Sequence, residues 1–174
     1  MITILSCTNR ENSKTFLISQ YYQKLLSGMN QHCQILDLKT LPSNFIFTAL
    51  YDNAGKDPEF NKFSTIIHQS HKFVFIVPEY NGSFPGVLKS FIDGLDFPSG
   101  FSNKKCALVG ISSGIMAGAL ALSHLTDILN YLGMHVLAIK PRLPRISSIY
   151  KDGEITDAFL ANLLKSQAEA LITF

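Results

Sequence analysis

Short apolar runs recur along the chain, and longer stretches of mixed polarity separate them. The runs contain few polar residues and little alternation between apolar and polar positions. Continuous apolar runs of this kind are typical of strands that are buried on both faces of a parallel sheet. The pattern therefore predicts five strands, at residues 2–7, 33–38, 73–77, 105–111 and 135–139.

The stretches between the runs carry apolar residues three or four positions apart, a spacing that places side chains on one face of a helix. The positions that define five predicted helices are Ile18, Tyr21, Tyr22, Leu25, Leu26 and Met29; Phe60, Phe63, Ile66 and Ile67; Val87, Leu88, Phe91, Ile92 and Leu95; Leu122, Leu125, Leu129 and Leu132; and Phe159, Leu160, Leu163, Leu164 and Leu171. Strands and helices thus alternate along the chain.

The segment after the second strand departs from both patterns. Residues 39–57 show no clear periodicity and contain Pro42 and Gly55, so we predict an irregular segment. Its aromatic residues, Phe45, Phe47 and Tyr51, are expected to overhang a cleft or to contact a second subunit.

The alternation of strands and helices determines the expected fold class. It predicts an α/β protein with a parallel sheet, helices on both faces and right-handed crossovers. Five strands favour a flavodoxin-like three-layer sandwich with strand order 2-1-3-4-5, in a single domain over residues 1–174. In such sheets ligands bind beyond the carboxyl ends of the strands, where the strand order reverses. The loops after the first, third and fourth strands are therefore the candidate site.

The composition of the chain limits the kinds of partner and the location that we expect for it. Only 16% of residues are charged, against about a quarter in an average domain. This favours a homodimer or homotetramer with part of its surface covered, and the alternative is a large core, which would also lower the charge count. A net charge of +2 without a basic stripe argues against nucleic acid. Glycines interrupt the uncharged stretch 106–126, so we expect no membrane span. Three widely spaced cysteines and a start directly in a strand favour a cytoplasmic protein without a signal peptide, and no histidine has metal-ligand spacing.

The first loop, residues 8–15, lies between a strand and a helix. Free backbone N–H groups and the positive end of the helix dipole attract anions at such a position. The hydroxyls of Thr8, Ser13 and Thr15 and the charge of Arg10 suit a phosphate. Because the loop lacks the glycines of nucleotide-binding motifs, a terminal monophosphate is favoured. The alternative is that Ser13 merely caps the helix and that Arg10 is solvated.

The second loop follows the third strand with the sequence Pro-Glu-Tyr-Asn-Gly-Ser-Phe-Pro-Gly, residues 78–86. Gly82 permits a tight turn, and Ser83 is predicted to cap the following helix. The side chains of Glu79, Tyr80 and Asn81 should then project from the edge of the sheet. Tyr80 and the backbone N–H groups of the turn would suit a planar heteroaromatic ring.

Residues 78–93 resemble the flavin-contacting motif of the NAD(P)H-dependent FMN reductase family, which includes quinone and chromate reductases and has a flavodoxin-like fold. Residues 8–13 resemble the family's [ST]-x-R-x-x-S phosphate loop, and the similarity spans essentially the whole chain. Cys7 and Thr15 stand where the family commonly has glycine and asparagine, so altered phosphate contacts are expected. The resemblance implies that FMN is bound by Thr8, Arg10, Ser13, Thr15, Pro78, Glu79, Tyr80, Asn81, Gly82, Ser112, Ser113 and Gly114.

The third loop also fits a different chemistry. Residues 110–114, Gly-Ile-Ser-Ser-Gly, match the G-x-S-x-G nucleophile elbow of serine hydrolases. That mechanism needs a histidine and an acid at the same edge of the sheet. His135 is predicted at the opposite edge, and His124 and Asp127 fall within a helix. A serine esterase using Ser112 is therefore disfavoured, and the small residues more simply allow close approach to a cofactor.

The resemblance also implies an activity. Hydride would pass from NADPH or NADH to FMN and then to a quinone, a flavin or a similar small acceptor by ping-pong kinetics. The flavin carries this chemistry, so no protein side chain is predicted to be catalytic. The alternative is a flavodoxin-type electron carrier that does not oxidise NAD(P)H. Such carriers are typically acidic proteins, whereas this chain has a pI of about 8.4.

Overall fold

The computed structural model describes residues 1–97 and 100–174. The strands of the main sheet are β1 (Ile2–Ser6), β2 (Cys33–Asp37), β3 (Lys72–Pro78), β4 (Lys105–Ile111), β5 (His135–Val136) and β6 (Arg142–Leu143). The helices are α1 (Lys14–Gly28), α2 (Phe45–Thr48), α3 (Pro58–Gln69), α4 (Gly86–Asp93), α5 (Ala119–Tyr131), α6 (Ile146–Ile149) and α7 (Ala158–Thr173).

The main sheet is parallel, with strand order β2-β1-β3-β4-β5. This confirms the fold class and the strand order predicted from the sequence. The order reverses between β1 and β3, because β2 lies on the far side of β1 from β3. The carboxyl ends of β1, β3 and β4 therefore meet at one edge, where the three candidate loops begin.

Each face of the sheet buries its own apolar core. Alternate residues of a strand point to opposite faces, so Phe73 and Phe75 pack with α3, α4 and α5, whereas Val74 and Ile76 pack with α1 and α7. All four side chains are fully buried. The predicted apolar faces of the helices thus cover both sides of the sheet, as burial of the strands on both faces requires.

The fifth predicted strand is interrupted, which corrects the prediction of one strand at 135–139. β5 pairs with the start of β4 and β6 pairs with its end. Between these pairings, residues 107–109 face residues 137–141, so the edge segment contains two additional residues. Gln167 of α7 fills the gap, because its Nε2 donates to the carbonyls of Leu108 (2.9 Å) and Ile139 (2.8 Å). A side-chain amide thus replaces strand pairing at this edge.

The segment 39–57 is more ordered than predicted. It contains α2 and 3-10 turns at Leu38–Thr40 and Tyr51–Asn53. Phe45 is buried and stacks on Phe60 of α3 with ring centroids 5.6 Å apart, so it is a core residue rather than a contact residue. Phe47 and Tyr51 remain 75% and 81% exposed, which leaves their predicted contact role open.

A two-stranded hairpin precedes α7 and was missed in the sequence. It pairs β7 (Tyr150–Lys151) with β8 (Glu154–Ile155) across Asp152 and Gly153, whose φ angles are 48° and 84°. Asp-Gly is the preferred dipeptide for a two-residue turn with positive φ at both positions, so this signal was available. Within the described ranges, no helix is both long enough and apolar enough to cross a membrane.

Candidate functional site

The three loops enclose a cleft of about 500 Å³ at the carboxyl edge of the sheet. It is lined by Arg10, Glu11, Asn12, Ser13, Lys14, Thr15, Pro78, Glu79, Tyr80, Ile111, Ser112, Ser113, Ile146 and Ser147. Residues from all three loops singled out in the sequence are therefore brought together in space. The reversal of strand order between β1 and β3 makes this crevice.

The first loop presents backbone donors to the cleft. The Ser13 hydroxyl accepts the Phe16 N–H at 3.2 Å and caps α1. The N–H groups of Lys14 and Thr15, at the start of α1, have no acceptor among the described residues. Unpaired N–H groups at a helix N-terminus attract anions. Arg10 is exposed and lines the same end of the cleft. Ser13 therefore caps α1, as the alternative interpretation expected, and this capping leaves the other N–H groups free for an anion.

Thr8 has a role that the sequence did not reveal. Its side chain is buried and lies outside the lining of the cleft. The Thr8 hydroxyl hydrogen-bonds the Tyr80 hydroxyl at 2.9 Å and accepts the Arg10 N–H at 3.3 Å. Thr8 thus connects the first loop with the second and holds the Tyr80 hydroxyl.

Tyr80→Phe tests this connection. Removing the phenol hydroxyl should lower the free energy of unfolding by about 1 kcal/mol, since one part-buried hydrogen bond is lost while the ring is retained. Urea unfolding followed by circular dichroism measures the change. Tyr131→Phe, at a tyrosine that is 82% exposed, is the control and should have no effect. Equal stability of the two variants would contradict the inferred connection.

The second loop is a two-residue hairpin turn. Tyr80 and Ser83 pair through both backbone hydrogen bonds (2.8 and 3.1 Å), and the residues between them, Asn81 and Gly82, have φ angles of 51° and 74°. Asn-Gly is the preferred sequence for such a turn. Asn81 and Gly82 thus shape the loop from outside the lining of the cleft, and the tight turn predicted at Gly82 is present.

The prediction that Ser83 caps the next helix was wrong. α4 begins at Gly86, and Pro85 occupies the capping position. The Ser83 backbone is held in the turn, and its hydroxyl instead lies 2.9 Å from Nδ1 of His124 on α5. A turn in which Ser83 is the closing residue cannot also start a helix there.

Glu79 places an unsatisfied acceptor at the cleft. Its backbone N–H donates to Ile111 at 3.2 Å and ties the second loop to the end of β4. Its side chain lines the cleft, and the buried oxygen Oε2 has no hydrogen-bond partner in the described chain. Buried polar atoms are nearly always paired, and an unpaired one costs stability. A ligand with a donor near Glu79 would satisfy this oxygen.

The third loop does not form a nucleophile elbow. The Ser112 hydroxyl donates to the Gly114 carbonyl at 3.0 Å and accepts the Ala117 N–H at 3.1 Å, so it serves its own loop. His135 pairs with Lys105 at the amino end of β4, as expected. A Cβ on Gly110 would lie 2.4 Å from the Ala117 carbonyl oxygen. The first glycine of the motif thus permits close packing of the loop on β4.

Cys7, which stands immediately before the phosphate loop, is not a reactive thiol. It is fully buried, and this burial raises the pKa of its thiol well above the ordinary value. Burial likewise raises the pKa of Cys106 to about 12. Only the thiolate is a strong nucleophile, so both residues act as small apolar side chains, in agreement with their placement in or beside strands.

The lining includes residues that the sequence analysis did not select. These are Glu11, Asn12, Lys14, Ile111, Ile146 and Ser147. The first three belong to a loop that was already identified, whereas Ile146 and Ser147 come from α6, after the interrupted edge strand. No sequence signal marked them, because their approach depends on the backbone bond from Ile146 N–H to the Ser112 carbonyl (3.1 Å). Gly114 is exposed and, like Thr8, Asn81 and Gly82, is not part of the lining.

The cleft fits a flat cofactor that carries a terminal phosphate. The first loop provides unpaired backbone donors and Arg10, and the second loop provides Tyr80. The buried oxygen of Glu79 has no hydrogen-bond donor among the described residues. FMN combines these features. Among the described residues, no group of three histidine, cysteine, aspartate or glutamate side chains could hold a metal ion.

Comparison with known proteins agrees with this chemistry. Residues 1–140 match the model of the family described as NADPH-dependent FMN reductase. An NAD(P)H-dependent FMN reductase of Pseudomonas aeruginosa is 35% identical over 123 residues, which cover 67% of this chain and 65% of that protein. An NAD(P)H:quinone oxidoreductase of Solanum tuberosum is 30% identical over 156 residues, covering 84% of this chain and 78% of that protein. The match thus spans slightly less than two thirds of the length of the Pseudomonas relative.

A solved structure supports the fold over nearly the whole chain. The flavoenzyme NAD(P)H:acceptor oxidoreductase FerB from Paracoccus denitrificans superposes with a TM-score of 0.81 and covers 99% of this chain and 94% of that one, at 24% identity. The flavodoxin-like architecture and the resemblance found in the sequence are both confirmed. The chain belongs to the NADPH-dependent FMN reductase family.

Proposed function

We propose that the chain is an FMN-containing NAD(P)H-dependent reductase that transfers reducing equivalents to a quinone or a similar small acceptor. The observation that carries this proposal is the cleft itself, which is lined by the start of α1 with its unpaired N–H groups, by Tyr80 and by Glu79 with its unsatisfied oxygen. Family membership supports FMN and NAD(P)H as cofactors. The name of the Solanum relative supports a quinone as the acceptor.

Different residues among those predicted from the sequence would contact different parts of FMN. The N–H groups of Lys14 and Thr15, with Arg10, would hold the phosphate. Tyr80, fixed by Thr8, would lie along the ring system, and Ser112 and Ser113 would approach its edge. Asn81, Gly82 and Gly114 would act through the shape of their loops. When bound, FMN would supply the hydride chemistry between NAD(P)H and the acceptor, so the protein would supply position and electrostatics.

The proposed assembly and location rest on separate observations. Ile115, Met116 and Leu120 are 73%, 56% and 50% exposed and lie just beyond the third loop. An apolar surface of this kind beside a site favours a homodimer or a homotetramer.

The cysteines Cys7, Cys33 and Cys106 are free thiols, which supports a cytoplasmic protein. The continuous sheet supports one FMN-binding domain over residues 1–174.

Adding NADPH or NADH to FMN-loaded protein under nitrogen tests the activity. We expect the flavin absorbance to bleach, because the nucleotide reduces the flavin. The absorbance should return when a benzoquinone is added, because the quinone reoxidises it. Dithionite bleaching is the control for an intact, reducible flavin. Bleaching by dithionite alone, with no response to either nucleotide, would contradict the proposal and indicate an electron carrier. Ser112→Ala should leave the bleaching intact.

A further inference from the structure

A second cavity, of about 420 Å³, adjoins the cleft across the first loop, and we call it the side pocket. It is lined by Arg10, Asn12 and Ser13 of the first loop, Phe16 and Leu17 of α1, and Asp37 and Lys39 at the end of β2. The three loop residues also line the cleft, whose other walls come mainly from the loops after β3 and β4. Since β2 and β3 flank β1 on opposite sides, the first loop lies between the two cavities.

The surface of the first loop between the two cavities is open. Arg10 and Asn12 are exposed, and Ser13 is partly exposed, so a ligand can run over these residues from the cleft into the side pocket. Asn12 has a φ angle of 50°, in the left-handed region that glycine adopts in tight phosphate-binding turns. Asparagine tolerates this conformation. The missing glycines of nucleotide-binding motifs therefore do not exclude a diphosphate at this loop.

The loop and its surroundings carry donors for more than one phosphate. Within the described chain, the Arg10 side chain makes no salt bridge and no hydrogen bond, and the N–H groups of Lys14 and Thr15 have no acceptor. An arginine fork matches phosphate oxygens especially well. Lys39, on the side-pocket side of the loop, pairs with the exposed Glu11 at 2.6 Å. An exposed ion pair contributes little, so Lys39 can exchange Glu11 for a second phosphate at small cost.

The walls of the side pocket suit a nucleoside. Phe16 and Leu17 are partly buried and form its apolar side, and a base stacks favourably on an aromatic ring. Asp37 is the last residue of β2, and its Oδ1 accepts the Lys39 N–H at 3.3 Å. Its carboxylate makes no salt bridge within the described ranges. In dinucleotide-binding sheets, an acid about 20 residues beyond the phosphate loop binds the ribose hydroxyls, and Asp37 has a corresponding position.

We propose that the side pocket binds the adenosine of FAD, so that the chain takes FAD as well as FMN as its flavin. This inference rests on the proposed function, because the ring system of either flavin would lie in the same cleft. The two phosphates of FAD would cross the first loop beside Arg10. The adenine would lie against Phe16, and the Asp37 carboxylate would accept hydrogen bonds from the ribose hydroxyls.

Calorimetric titration of the apoprotein with FAD and with FMN tests the inference without any turnover. We expect FAD to bind about tenfold more tightly, since stacking of one base on an aromatic side chain contributes about that much. Phe16→Ala should abolish this advantage and leave the affinity for FMN unchanged, because the Phe16 side chain is not part of the cleft lining. Phe159→Ala is the matched control, at a phenylalanine that is 73% exposed at the start of α7, and it should keep the advantage.

Two results of this titration would overturn the inference. One is an FAD affinity no higher than the FMN affinity in the wild type, and the other is an equal loss of both affinities in Phe16→Ala. Circular dichroism would establish that this variant is folded. Asp37→Asn would replace it otherwise, because asparagine can still accept the Lys39 N–H while the carboxylate charge is lost. It should weaken FAD binding and leave FMN binding unchanged, and equal effects on both flavins would again refute the inference.

A comparison of two fragments separates this inference from the proposed function. AMP and ribose 5-phosphate share a phosphate and a ribose, and only AMP carries adenine. AMP should bind more tightly to the wild type, and Phe16→Ala should remove the difference. Binding of neither flavin would refute the proposed function, and the fragments would still decide whether the side pocket recognises adenine. A preference for AMP without a preference for FAD over FMN would refute the inference and assign the pocket to a free adenine nucleotide.

Discussion

Gly110→Ala is expected to destabilise the protein by about 3 kcal/mol and to weaken FMN binding at the same time. The added methyl group would lie 2.4 Å from the Ala117 carbonyl oxygen and 3.1 Å from Leu122. The obstructing atom is backbone, so it cannot rotate away as a flexible side chain would. Gly118, with a φ of 80°, packs closely against Gly110, because a Cβ added to Gly118 would lie 3.0 Å from the Gly110 Cα. The third loop would have to move, and with it Ser112 and Ser113.

Chemical unfolding and FMN titration measure the two effects of this substitution. Gly28→Ala is the matched control, since a Cβ at Gly28 has no heavy atom within 4 Å and the residue ends α1. The control should be neutral or more stable by up to about 1 kcal/mol, because alanine favours the helix. A Gly110→Ala protein as stable as the control would show that the loop does not pack on β4 as described.

Gln167→Ala should also cost about 3 kcal/mol, through unpaired polar groups rather than steric conflict. The side chain is fully buried on α7 and satisfies the carbonyls of Leu108 and Ile139, while its Oε1 accepts the Tyr22 hydroxyl at 3.1 Å. Truncation leaves the Leu108 carbonyl and the Tyr22 hydroxyl, both buried, and the partly buried Ile139 carbonyl without this partner. Each such group costs about 1–3 kcal/mol before water compensates. The interrupted edge strand would lose its only side-chain tie to β4 within the described chain.

Urea unfolding measures this loss, and hydrogen exchange at residues 137–141 would locate it. Gln20→Ala, at an exposed glutamine of α1, is the control and should change stability by less than about 0.5 kcal/mol. If the two alanine variants unfolded at the same urea concentration, the buried network would contribute nothing and the explanation of the split strand would fail.

The fold was predictable because its signals are local and repeated. Apolar runs identified β1 to β4 within one or two residues, and helical periodicity identified α1, α3, α4, α5 and α7. The fifth strand could not be predicted in detail, since its interruption depends on Gln167, a polar residue 28 positions away in sequence from Ile139. A pattern of polarity carries no information about such a distant partner.

The candidate site was predictable to the level of its loops. Strand topology places the ends of β1, β3 and β4 together, so loops at those ends had to meet. Individual side chains were less predictable: Thr8 turned inward to Tyr80, Ser83 joined a turn instead of a helix, and Ile146 entered the cleft from α6. The positions of Thr8 and Ile146 depend on hydrogen bonds between segments, which neither propensity nor periodicity reports. The turn that contains Ser83 was signalled locally by Asn-Gly.

The central claim is that the start of α1 binds the phosphate of a flavin whose ring system lies beside Tyr80. The most direct measurement titrates the apoprotein with FMN and with riboflavin, following flavin fluorescence. FMN should bind with one-to-one stoichiometry and at least about a hundredfold more tightly than riboflavin, because only FMN engages the N–H groups of Lys14 and Thr15 and the charge of Arg10. Equal affinity for the two flavins, or binding of neither, would contradict the account.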